Sequence, residues 1–526
     1  MQSKYADKWL PAFQKEFLSQ IANKSWKLIP RSEVPSECII LPHKWVGKYK
    51  PGYGTPGEPD YVEPRFKGRL TVVGSYQKYG VDFEETYAPV PRLESVRAAL
   101  SEMAVHDLNM ITFDIATAFL NATVDKPIYM TQPEGFVENG KEDHVCLLLK
   151  AVYGIKQAPR LWNKTFLNVI LQFGLQPTSA DSCVYVRFSE NQKDIFIAFV
   201  DDGVFGSTSK ETVKKFAEHL SSTFDVRSLP LTRFIGINME RDTNNQQIFL
   251  SQKHVILKAL EKFGMSNCQP RSTPADPNAR LSSSMTPQTE GGNLDMSTVP
   301  FREAVGLLLY LTTTTRPDIA FAVSQVSKFC QDPQPAHWRA VKRIFAYLKG
   351  TSDFGLWLGG RRDEDVTGYT DADYAGDTDD RKSTSGSIFF FHGGPIAWSS
   401  RKQKCTALST TEAEYVSLSE AIKDALWISS LAKDLSGGQQ EAPSTIPIFC
   451  DNQSAIKLVK NPEFHQRSKH IDVRYHFVRQ QQSEERVDVQ FVKSEDQLAD
   501  IFTKPLPAPR FIDLRERIGV GKFNDE

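Results

Sequence analysis

Asp201 and Asp202 are adjacent carboxylates that follow a short apolar run at residues 195–200 and precede Gly203. The run is rich in strand-forming residues, and Asp-Gly before a second apolar pair is a typical hairpin signal. The pattern therefore predicts both acids at the rigid tip of a buried hairpin. Such a tip would hold hard oxygen ligands at coordination distance from divalent metal ions. An isolated Asp-Asp turn is more often a solvated loop, so a metal role needs a further acid.

Asp114 supplies that further acid. Residues 109–115 alternate between apolar and polar side chains, which predicts a strand with Asp114 on the face opposite three apolar residues. A half-buried strand with a polar outer face is the simpler interpretation. However, large apolar residues continue through Leu120, where an exposed edge would become polar. We therefore expect Asp114 to lie in a packed site.

A longer pattern is formed by four segments around these acids, at residues 114–120, 129–136, 153–162 and 199–202. Together they resemble the reverse transcriptase of copia-type LTR retrotransposons, and the resemblance runs from near Trp9 to about Pro507. It implies a right-hand polymerase with fingers, palm and thumb. In that fold Asp114, Asp201 and Asp202 would hold two magnesium ions, with manganese as the alternative ion, for in-line phosphoryl transfer.

The same resemblance implies substrate contacts for four other residues. Phe119 would pack under the sugar of the incoming nucleotide and exclude a 2′-hydroxyl, with a core phenylalanine as the alternative interpretation. Gln157 would lie near the incoming nucleotide and the template. Lys67 and Arg69 are candidates for the triphosphate, and a solvated basic strand explains that pair equally well.

A second set of acids occupies the C-terminal half of the chain. A strand, a capped helix, a further strand and a last segment carry, in that order, Asp371, Glu414, Asp451 and Asp500. This order resembles the ribonuclease H of the same polyprotein, which implies that the four acids form its metal-binding tetrad with two magnesium ions. Asp373 and Glu412 are close rivals, which we expect to be exposed and to act at most from outside the metal coordination.

Three features depart from the resemblance. Phe199 stands where tyrosine is usual, and Val73 stands where a basic residue is common. Cellular ribonucleases H often carry a histidine before the last acid, but the stretch from Val492 to Asp500 contains none. Three function classes therefore stay open. The intact acids favour an RNA- and DNA-directed DNA polymerase with ribonuclease H activity, and the alternatives are a degenerate or co-opted copy that binds nucleic acid without catalysis and a nuclease only.

The expected fold class is α+β and multi-domain. With 526 residues and 40% hydrophobic content, the chain is too long for one core and should divide into about three units or more. The expected regions are a reverse transcriptase with fingers, palm and thumb at 9–268, a flexible linker at 269–300, a helical connection at 301–365, an α/β ribonuclease H-like domain at 366–507 and a C-terminal tail at 508–526.

Charge and cysteine usage bound the environment of the protein. A net charge of -1 neither supports nor excludes nucleic-acid binding, because a polymerase can confine positive charge to a cleft. Seven cysteines without a Cys-x-x-Cys spacing argue against a disulfide framework and a zinc site. The start lacks a signal-peptide pattern, and no apolar run is long enough to span a bilayer. We expect a soluble protein that is not secreted and has no membrane partner.

The resemblance also implies the partners and the location of the protein. The partners would be an RNA template, a DNA primer, an RNA–DNA hybrid and deoxynucleoside triphosphates, together with other processed products of the polyprotein. The expected location is the cytoplasm, within a virus-like particle, with access to the nucleus.

Overall fold

The computed structural model describes residues 5–50, 52, 63–285, 294–361, 366–437, 445–460 and 469–523. The elements of the first half are, in chain order, α1 (Ala6–Ala22), β1 (Trp26–Pro30), β2 (Ile40–Leu41), β3 (His43–Lys50), β4 (Arg65–Val72), α2 (Leu93–Val105), β5 (Asn109–Ile115), β6 (Tyr129–Thr131), β7 (His144–Leu148), α3 (Ala158–Gln172), β8 (Gln176–Pro177), β9 (Val184–Ser189), β10 (Gln192–Phe199), β11 (Asp202–Ser207), α4 (Lys210–Ser221), β12 (Val226–Pro230), β13 (Arg233–Phe234), β14 (Ile237–Asp242), β15 (Gln247–Ser251) and α5 (Lys253–Lys262).

The second half contributes the elements that follow in the same numbering. They are α6 (Phe301–Thr314), α7 (Ala320–Ser327), α8 (Pro335–Gly350), β16 (Phe354–Gly359), β17 (Thr367–Asp373), β18 (Thr384–Phe391), β19 (Gly394–Lys402), α9 (Thr410–Leu435), β20 (Ile446–Cys450), α10 (Gln453–Lys460), α11 (Lys469–Ser483), β21 (Val487–Phe491), α12 (Ala508–Arg517) and β22 (Val520–Lys522). Within the described part of the chain, no helix combines the length and the apolar character needed to cross a bilayer.

A six-stranded antiparallel sheet in the order β12-β5-β11-β10-β9-β8 forms the palm. Side chains of β10 alternate between two cores. Ile195 and Ile197 pack with residues of α2, whereas Phe196 packs among rings of α3 and α4. The sheet is therefore buried on both faces, which explains the continuous apolar run before the adjacent acids.

The hairpin that carries these acids turns earlier than the sequence pattern predicts. Phe199 and Asp202 pair across β10 and β11, so the two-residue turn consists of Val200 and Asp201. The Asp-Gly pair expected in the turn instead begins β11. Glycine is required there because a Cβ atom at Gly203 would meet a buried phenylalanine ring at 2.7 Å. Close packing, and not turn geometry, explains this glycine.

The fingers combine α1, a four-stranded sheet in the order β1-β7-β6-β2, and the two-stranded ribbon of β3 and β4. The ribbon crosses α1 closely, since a Cβ atom at Gly68 would meet the Phe13 ring at 2.5 Å. Gly68 therefore faces the helix. Its neighbours Lys67 and Arg69 project from the opposite face of the ribbon, because successive residues of a strand alternate.

The region expected to be a C-terminal tail belongs to the folded body. Strand β22 closes a five-stranded sheet in the order β13-β14-β15-β16-β22, where Val520 pairs with Leu356. Helix α12 buries Phe511 and Leu514. Apolar residues at helical spacing were the signal that the prediction did not use. Residues 524–526 lie outside the described part.

The expected flexible linker is bound to its surroundings wherever it is described. The Arg271 N–H donates to the carbonyl of Ala346 on α8 at 3.3 Å. Farther on, the Ser282 hydroxyl donates to the Asp379 carboxylate at 2.5 Å. These hydrogen bonds hold a segment of low-complexity composition in place, and composition alone does not reveal them. Residues 286–293 of this region lie outside the described part.

The expected ribonuclease H-like region, which we call the nuclease half, contains a five-stranded mixed sheet in the order β19-β18-β17-β20-β21. Strands β17, β18 and β19 are antiparallel neighbours, whereas β20 runs parallel to β17 and β21 runs parallel to β20. Helix α9 packs on β17 and β18 and is buried along most of its length. Numbered in chain order within the sheet, these strands lie in the order 3-2-1-4-5.

Helix α2 of the palm docks on the hairpin of β18 and β19. The Arg97 guanidinium donates to the Ile396 carbonyl at 2.6 Å and lies 4.0 Å from the centre of the Trp398 ring. Glu102, which is 2% exposed, pairs with His392 at 2.6 Å. Buried polar contacts therefore join the polymerase and nuclease halves.

The charge state of Glu102 links this contact to pH. Burial alone would raise the pKa of Glu102, but hydrogen bonds from His106 and His392, together with the charge of Lys193, hold it below its ordinary value. A carboxyl group with a lowered pKa stabilises the fold above the unfolded pKa of about 4.3. That contribution is lost as the pH falls toward the pKa of the folded state.

We expect Glu102→Gln to lower the free energy of unfolding by about 3 kcal/mol at pH 7, because the Lys193 ammonium loses its buried partner. The difference from wild type should shrink below about pH 4, where the carboxylate is protonated in the unfolded chain. Urea denaturation measures it. Glu84→Gln is the matched control, since Glu84 pairs with Lys126 but is 66% exposed. An equal loss in both variants would contradict the prediction.

Candidate active sites

Asp114 and Asp202 lie directly opposite each other on β5 and β11. Opposed residues of antiparallel strands have Cβ atoms about 4.5–5.5 Å apart and share one face of the sheet. Asp201 joins them from the turn, where its carbonyl accepts a hydrogen bond from the Ile115 N–H at 2.9 Å. The structure therefore brings the three predicted acids together at one end of the palm sheet.

The three acids differ in exposure. Asp201 and Asp202 are half-buried, but Asp114 is exposed, so the expectation of a packed position for its side chain is wrong. Only the neighbouring Phe113 and Ile115, each 3% exposed, point into the core. The alternation of β5 produces this arrangement, and it leaves the acids accessible from the side of Asp114.

Negative charge at this site is incompletely balanced. Burial, followed by the charges of Asp201 and Asp114, raises the pKa of Asp202 to about 6. Burial and Asp114 also raise the pKa of Asp201, against the opposing charges of Lys67 and Arg69. Three hard oxygen donors that repel one another fit divalent magnesium, which binds carboxylates and relieves such repulsion.

Lys67 and Arg69 do not form a solvated basic strand. Both are half-buried, and burial is the main cause of the lowered pKa of Lys67. The Arg69 guanidinium lies 5.2 Å from the centre of the Tyr153 ring. Its Nε atom is buried without a hydrogen-bond partner among the described residues. The pair therefore faces inward beside the acids, where it can accept an anionic group.

Phe119 lies in a 3-10 turn at Ala118–Asn121, after Thr117, whose φ of +50° redirects the chain at the end of β5. The half-buried ring packs edge-to-face on Tyr153, with the ring centres 4.9 Å apart. Tyr153 thus contacts both Phe119 and Arg69. Sequence reasoning missed Tyr153, although it lies within one of the segments that carried the resemblance.

Gln157 is not presented to the acids. Its side chain is 1% exposed, and its Nε2 donates to the Asp82 carbonyl at 2.8 Å. Its Oε1 accepts a hydrogen bond from Gln77 at 3.0 Å. The amide of Gln157 therefore anchors the loop at residues 77–82, and its contact with nucleotide and template stays a prediction.

Elements of the nuclease half place one acid each around a second centre. Strand β17, helix α9, the end of β20 and a 3-10 turn at Leu498–Phe502 carry Asp371, Glu414, Asp451 and Asp500, respectively. Ligand atoms of Glu414, Asp451 and Cys450 lie within 4.8 Å of one another. The backbone therefore brings together two of the predicted acids, with a thiol beside them.

Lys504 joins the other two acids. Its ammonium lies 2.7 Å from Asp500 and 3.7 Å from Asp371. The charges of Asp371 and Asp451 both act on Glu414, which connects the two pairs. All four predicted acids therefore surround one centre, and Lys504 is a cation within it.

The electrostatics of this centre also fit divalent metal ions. Burial, with Asp371 and Asp451, raises the pKa of Glu414 to about 10, and its Oε2 is buried without a hydrogen-bond partner among the described residues. Burial and Asp371 raise the pKa of Asp500 to about 6, although Lys504 opposes them. A buried orphan carboxylate oxygen next to further acids is a donor set suited to magnesium.

The rival acids are not exposed as expected. Glu412 is 8% exposed, and it caps α9 by accepting a hydrogen bond from the Leu408 N–H at 2.9 Å. The capping-box pattern explains this burial. Asp373 is half-buried, and burial raises its pKa with a further contribution from Asp371 against the charge of Lys504. Glu412 is therefore a capping residue, and Asp373 borders the nuclease centre.

Hydroxyl and basic groups surround the acids, and the stretch from Val492 to Asp500 contains no histidine. The Ser494 hydroxyl donates to Asp451 at 2.8 Å, and the Thr503 hydroxyl donates to Asp371. Arg510 lies 3.7 Å from Asp500. Sequence reasoning missed these residues, because such contacts depend on how the last segments fold back over the sheet.

A cavity of about 1350 Å³ lies beside the nuclease centre. Its walls come from the linker, α7, α8 and the segment that connects β17 to β18. Basic residues along these walls include Arg271, Arg280, Lys342, Arg381 and Lys504, and Asp373 lies at the border with the acids. The charge of this surface suits a polyanion, although the whole chain is near neutral.

Comparison with known proteins identifies relatives of the chain. Residues 23–277 match the reverse transcriptase (RNA-dependent DNA polymerase) family. The chain is 41% identical over 515 residues to the retrovirus-related Pol polyprotein from transposon TNT 1-94 of Nicotiana tabacum, covering 97% of this chain and 38% of that protein. It is 32% identical over 314 residues to the putative transposon Ty5-1 protein of Saccharomyces cerevisiae, covering 59% of this chain and 99% of that protein.

A solved structure shares the fold. The foamy viral protease-reverse transcriptase in complex with RNA/DNA hybrid aligns with a TM-score of 0.50 and 14% identity, covering 96% of this chain and 56% of that chain. The expected fold class is thereby confirmed as a polymerase joined to a ribonuclease H-like domain. The chain belongs to the Pol polyproteins of copia-type LTR retrotransposons. It spans 38% of the length of the relative from Nicotiana tabacum. It spans 34% of the length of a second relative, the retrovirus-related Pol polyprotein from transposon RE2 of Arabidopsis thaliana.

The raised pKa of Glu414 predicts a stability effect with a definite sign. In the unfolded chain the Glu414 carboxyl has the ordinary glutamate pKa of about 4.3. In the fold its pKa is raised to about 10. The metal-free fold therefore loses stability as pH rises between these values. We expect Glu414→Gln to raise the free energy of unfolding by about 3 kcal/mol at pH 8 in EDTA, and to have little effect at pH 4.

Chemical denaturation at the two pH values measures the effect. Glu420→Gln is the control, because Glu420 is 50% exposed on the same helix and pairs with Lys423. Added magnesium should stabilise the wild type more than Glu414→Gln, because the variant keeps only the palm centre intact. A gain for Glu414→Gln that is the same at pH 4 and pH 8 would show that charge is not its cause.

Proposed function

We propose that the chain is an RNA- and DNA-directed DNA polymerase with ribonuclease H activity that copies retrotransposon RNA into DNA. The observation that carries this proposal is the direct pairing of Asp114 with Asp202 beside Asp201, in a palm sheet, on the same chain as the second set of four acids. Membership of the family supports the proposal. The polymerase and nuclease folds of this class generally depend on divalent metal ions.

In the polymerase centre, Asp114, Asp201 and Asp202 would hold two magnesium ions, with manganese as the alternative. The bound ions would activate the primer 3′-hydroxyl and neutralise the leaving pyrophosphate. Lys67 and Arg69 are half-buried and face inward beside the acids, and they would bind the triphosphate there. Because both side chains are already oriented by the ribbon, little reorganisation is needed when the charge arrives.

In the nuclease centre, the tetrad would hold a second pair of magnesium ions. These ions would supply an activated water and stabilise the 3′-oxygen that leaves the RNA strand. Ser494 and Thr503 orient Asp451 and Asp371 by hydrogen bonds to their carboxylates. Lys504, which contacts Asp500 and Asp371, would balance the negative charge of a phosphate bound at the acids.

The proposed partners are an RNA template, a DNA primer, an RNA–DNA hybrid and deoxynucleoside triphosphates, with other processed polyprotein products as protein partners. The basic cavity beside the nuclease centre supports binding of a nucleic-acid backbone. The foamy viral relative in the fold comparison was solved with an RNA/DNA hybrid, which is consistent with this choice. We place the protein in cytoplasmic virus-like particles with access to the nucleus.

A degenerate copy that binds nucleic acid without catalysis is the second candidate, and Phe199 and Val73 are the departures that favour it. Phe199 packs on the palm core as a partly buried ring. The Val73 N–H donates to the Pro42 carbonyl at 2.8 Å. Neither residue removes a carboxylate, so the active enzyme remains our proposal. Primer extension on an RNA template, with and without magnesium, tests it against this candidate and against a nuclease only.

We expect the two activities to be separable by single substitutions. Asp201→Asn should abolish primer extension and preserve cleavage of an RNA–DNA hybrid, because it removes a ligand from only the palm centre. Asp451→Asn should do the reverse. Both assays are run on the same purified variants, and circular dichroism controls for the fold. Loss of both activities in either folded variant would refute two independent centres.

Phe119 should act as a filter against ribonucleotides. Phe119→Val should raise incorporation of CTP relative to dCTP by roughly tenfold or more, because the smaller side chain removes a clash with the 2′-hydroxyl. A phenylalanine that only fills the core would instead lose about 1–4 kcal/mol of stability and depress both substrates together. Steady-state kcat/KM values for the two nucleotides decide between these roles, and an unchanged ratio rules out the filter.

A further inference from the structure

The turn between β10 and β11 has an unusual backbone conformation. Val200 has a φ of +59°, whereas Asp201 is not among the residues with positive φ. Positive φ at only the first of two central residues is the type II′ pattern, in which glycine is usual at that position. A β-branched residue there costs on the order of 1–3 kcal/mol unless its surroundings compensate.

The peptide between the two turn residues has no place in the strand ladder. The pairs of the hairpin end at Phe199 and Asp202, so the Val200 carbonyl receives no hydrogen bond from the opposite strand. Rotation of such a peptide exchanges one turn type for another, because it changes ψ of Val200 and φ of Asp201. The backbone at Asp201, one of the three proposed metal ligands, is therefore fixed only when this peptide is held.

Trp162 supplies the missing partner. Its indole N–H donates to the Val200 carbonyl at 2.7 Å. The side chain is 2% exposed, and its ring packs against Phe166 and Phe224, with its centre 5.2 Å from the centre of each ring. The donor is therefore fixed by aromatic packing on α3, a helix outside the hairpin.

We propose that Trp162 is a positioning residue for polymerisation, which holds the Val200–Asp201 peptide in its left-handed turn and so directs Asp201 toward Asp114 and Asp202. It touches neither substrate nor metal. The inference rests on the proposed polymerase function. It goes further by assigning the geometry of the palm acids to one hydrogen bond from outside the sheet.

The first test removes the donor and keeps an aromatic ring. Trp162→Phe should lower the single-turnover rate of primer extension by about 10- to 100-fold, because a displacement of about 1 Å at a reacting centre has effects of this size. Cleavage of an RNA–DNA hybrid by the same molecules should stay within about twofold of wild type, because the nuclease centre is separate. An unchanged extension rate would overturn the proposal.

A double-mutant cycle separates positioning from packing. Glycine adopts positive φ without strain, so Val200→Gly should make the turn less dependent on Trp162. In the Val200→Gly background, Trp162→Phe should cost less than about threefold in extension rate. A loss as large as in the wild-type background would mean that Trp162 acts through the core and not through the turn.

Metal binding gives a readout that does not depend on activity. Manganese binding is measured by electron paramagnetic resonance in an Asp451→Asn background, where the nuclease centre lacks a ligand. Trp162→Phe should raise the dissociation constant at the palm centre by about fivefold or more, and Phe166→Leu, which disturbs the same packing but keeps the donor, should not. Equal constants in all three proteins would overturn the proposal.

Two further cases need their own readout: a Trp162→Phe variant that does not fold, and a wild-type protein that does not extend primers. If Trp162→Phe does not fold, replacement of Trp162 by 3-benzothienylalanine preserves the shape of the indole and removes only the N–H, and the same losses are expected. If the wild-type protein does not extend primers, the proposed function fails. The manganese constants still decide whether Trp162 positions Asp201.

Discussion

Carboxylates are held against one another in two places, where burial first and mutual repulsion second disfavour their charged forms. At the palm centre the pKa of Asp202 is raised to about 6, and at the nuclease centre that of Glu414 is raised to about 10. Such clusters oppose folding unless the surrounding packing compensates for them. The rest of the structure can be understood as the support that this repulsion requires, and the same repulsion makes each centre suited to divalent cations.

The support differs between the two centres. In the palm, burial of the sheet on both faces fixes the register that sets Asp114 opposite Asp202, and the indole of Trp162 stabilises the strained turn. In the nuclease half, the buried helix α9 brings Glu414 to the strand ends. Helix α2 packs on the β18–β19 hairpin, and this contact connects the elements that position the two centres. Distant packing therefore contributes to the geometry of both centres.

The sequence was sufficient to predict the family and the fold class, because the motifs that identify them are local patterns. It also selected acids that the fold brings together, although their roles remain a proposal. Details that depend on tertiary contacts were not predictable in this way. The turn lies at Val200 and Asp201 because Gly203 is needed for packing, and Gln157 is consumed by an internal hydrogen-bond network.

The same limit explains what was missed in the second half. Lys504 reaches Asp500 and Asp371 only after the last segments fold back over the sheet. The C-terminal strand pairs with β16 across more than a hundred residues of chain, and the linker is held by side-chain hydrogen bonds. None of these long-range contacts leaves a local pattern, whereas Tyr153 could have been found inside a segment already recognised as informative.

We propose that both clusters of acids are metal centres on one folded chain. Crystals of the protein soaked in manganese, with diffraction measured at the manganese absorption edge, test it most directly. We expect anomalous peaks beside Asp114, Asp201 and Asp202 and further peaks among the four acids of the nuclease tetrad. Well-ordered carboxylates at both centres without anomalous density at either would contradict it.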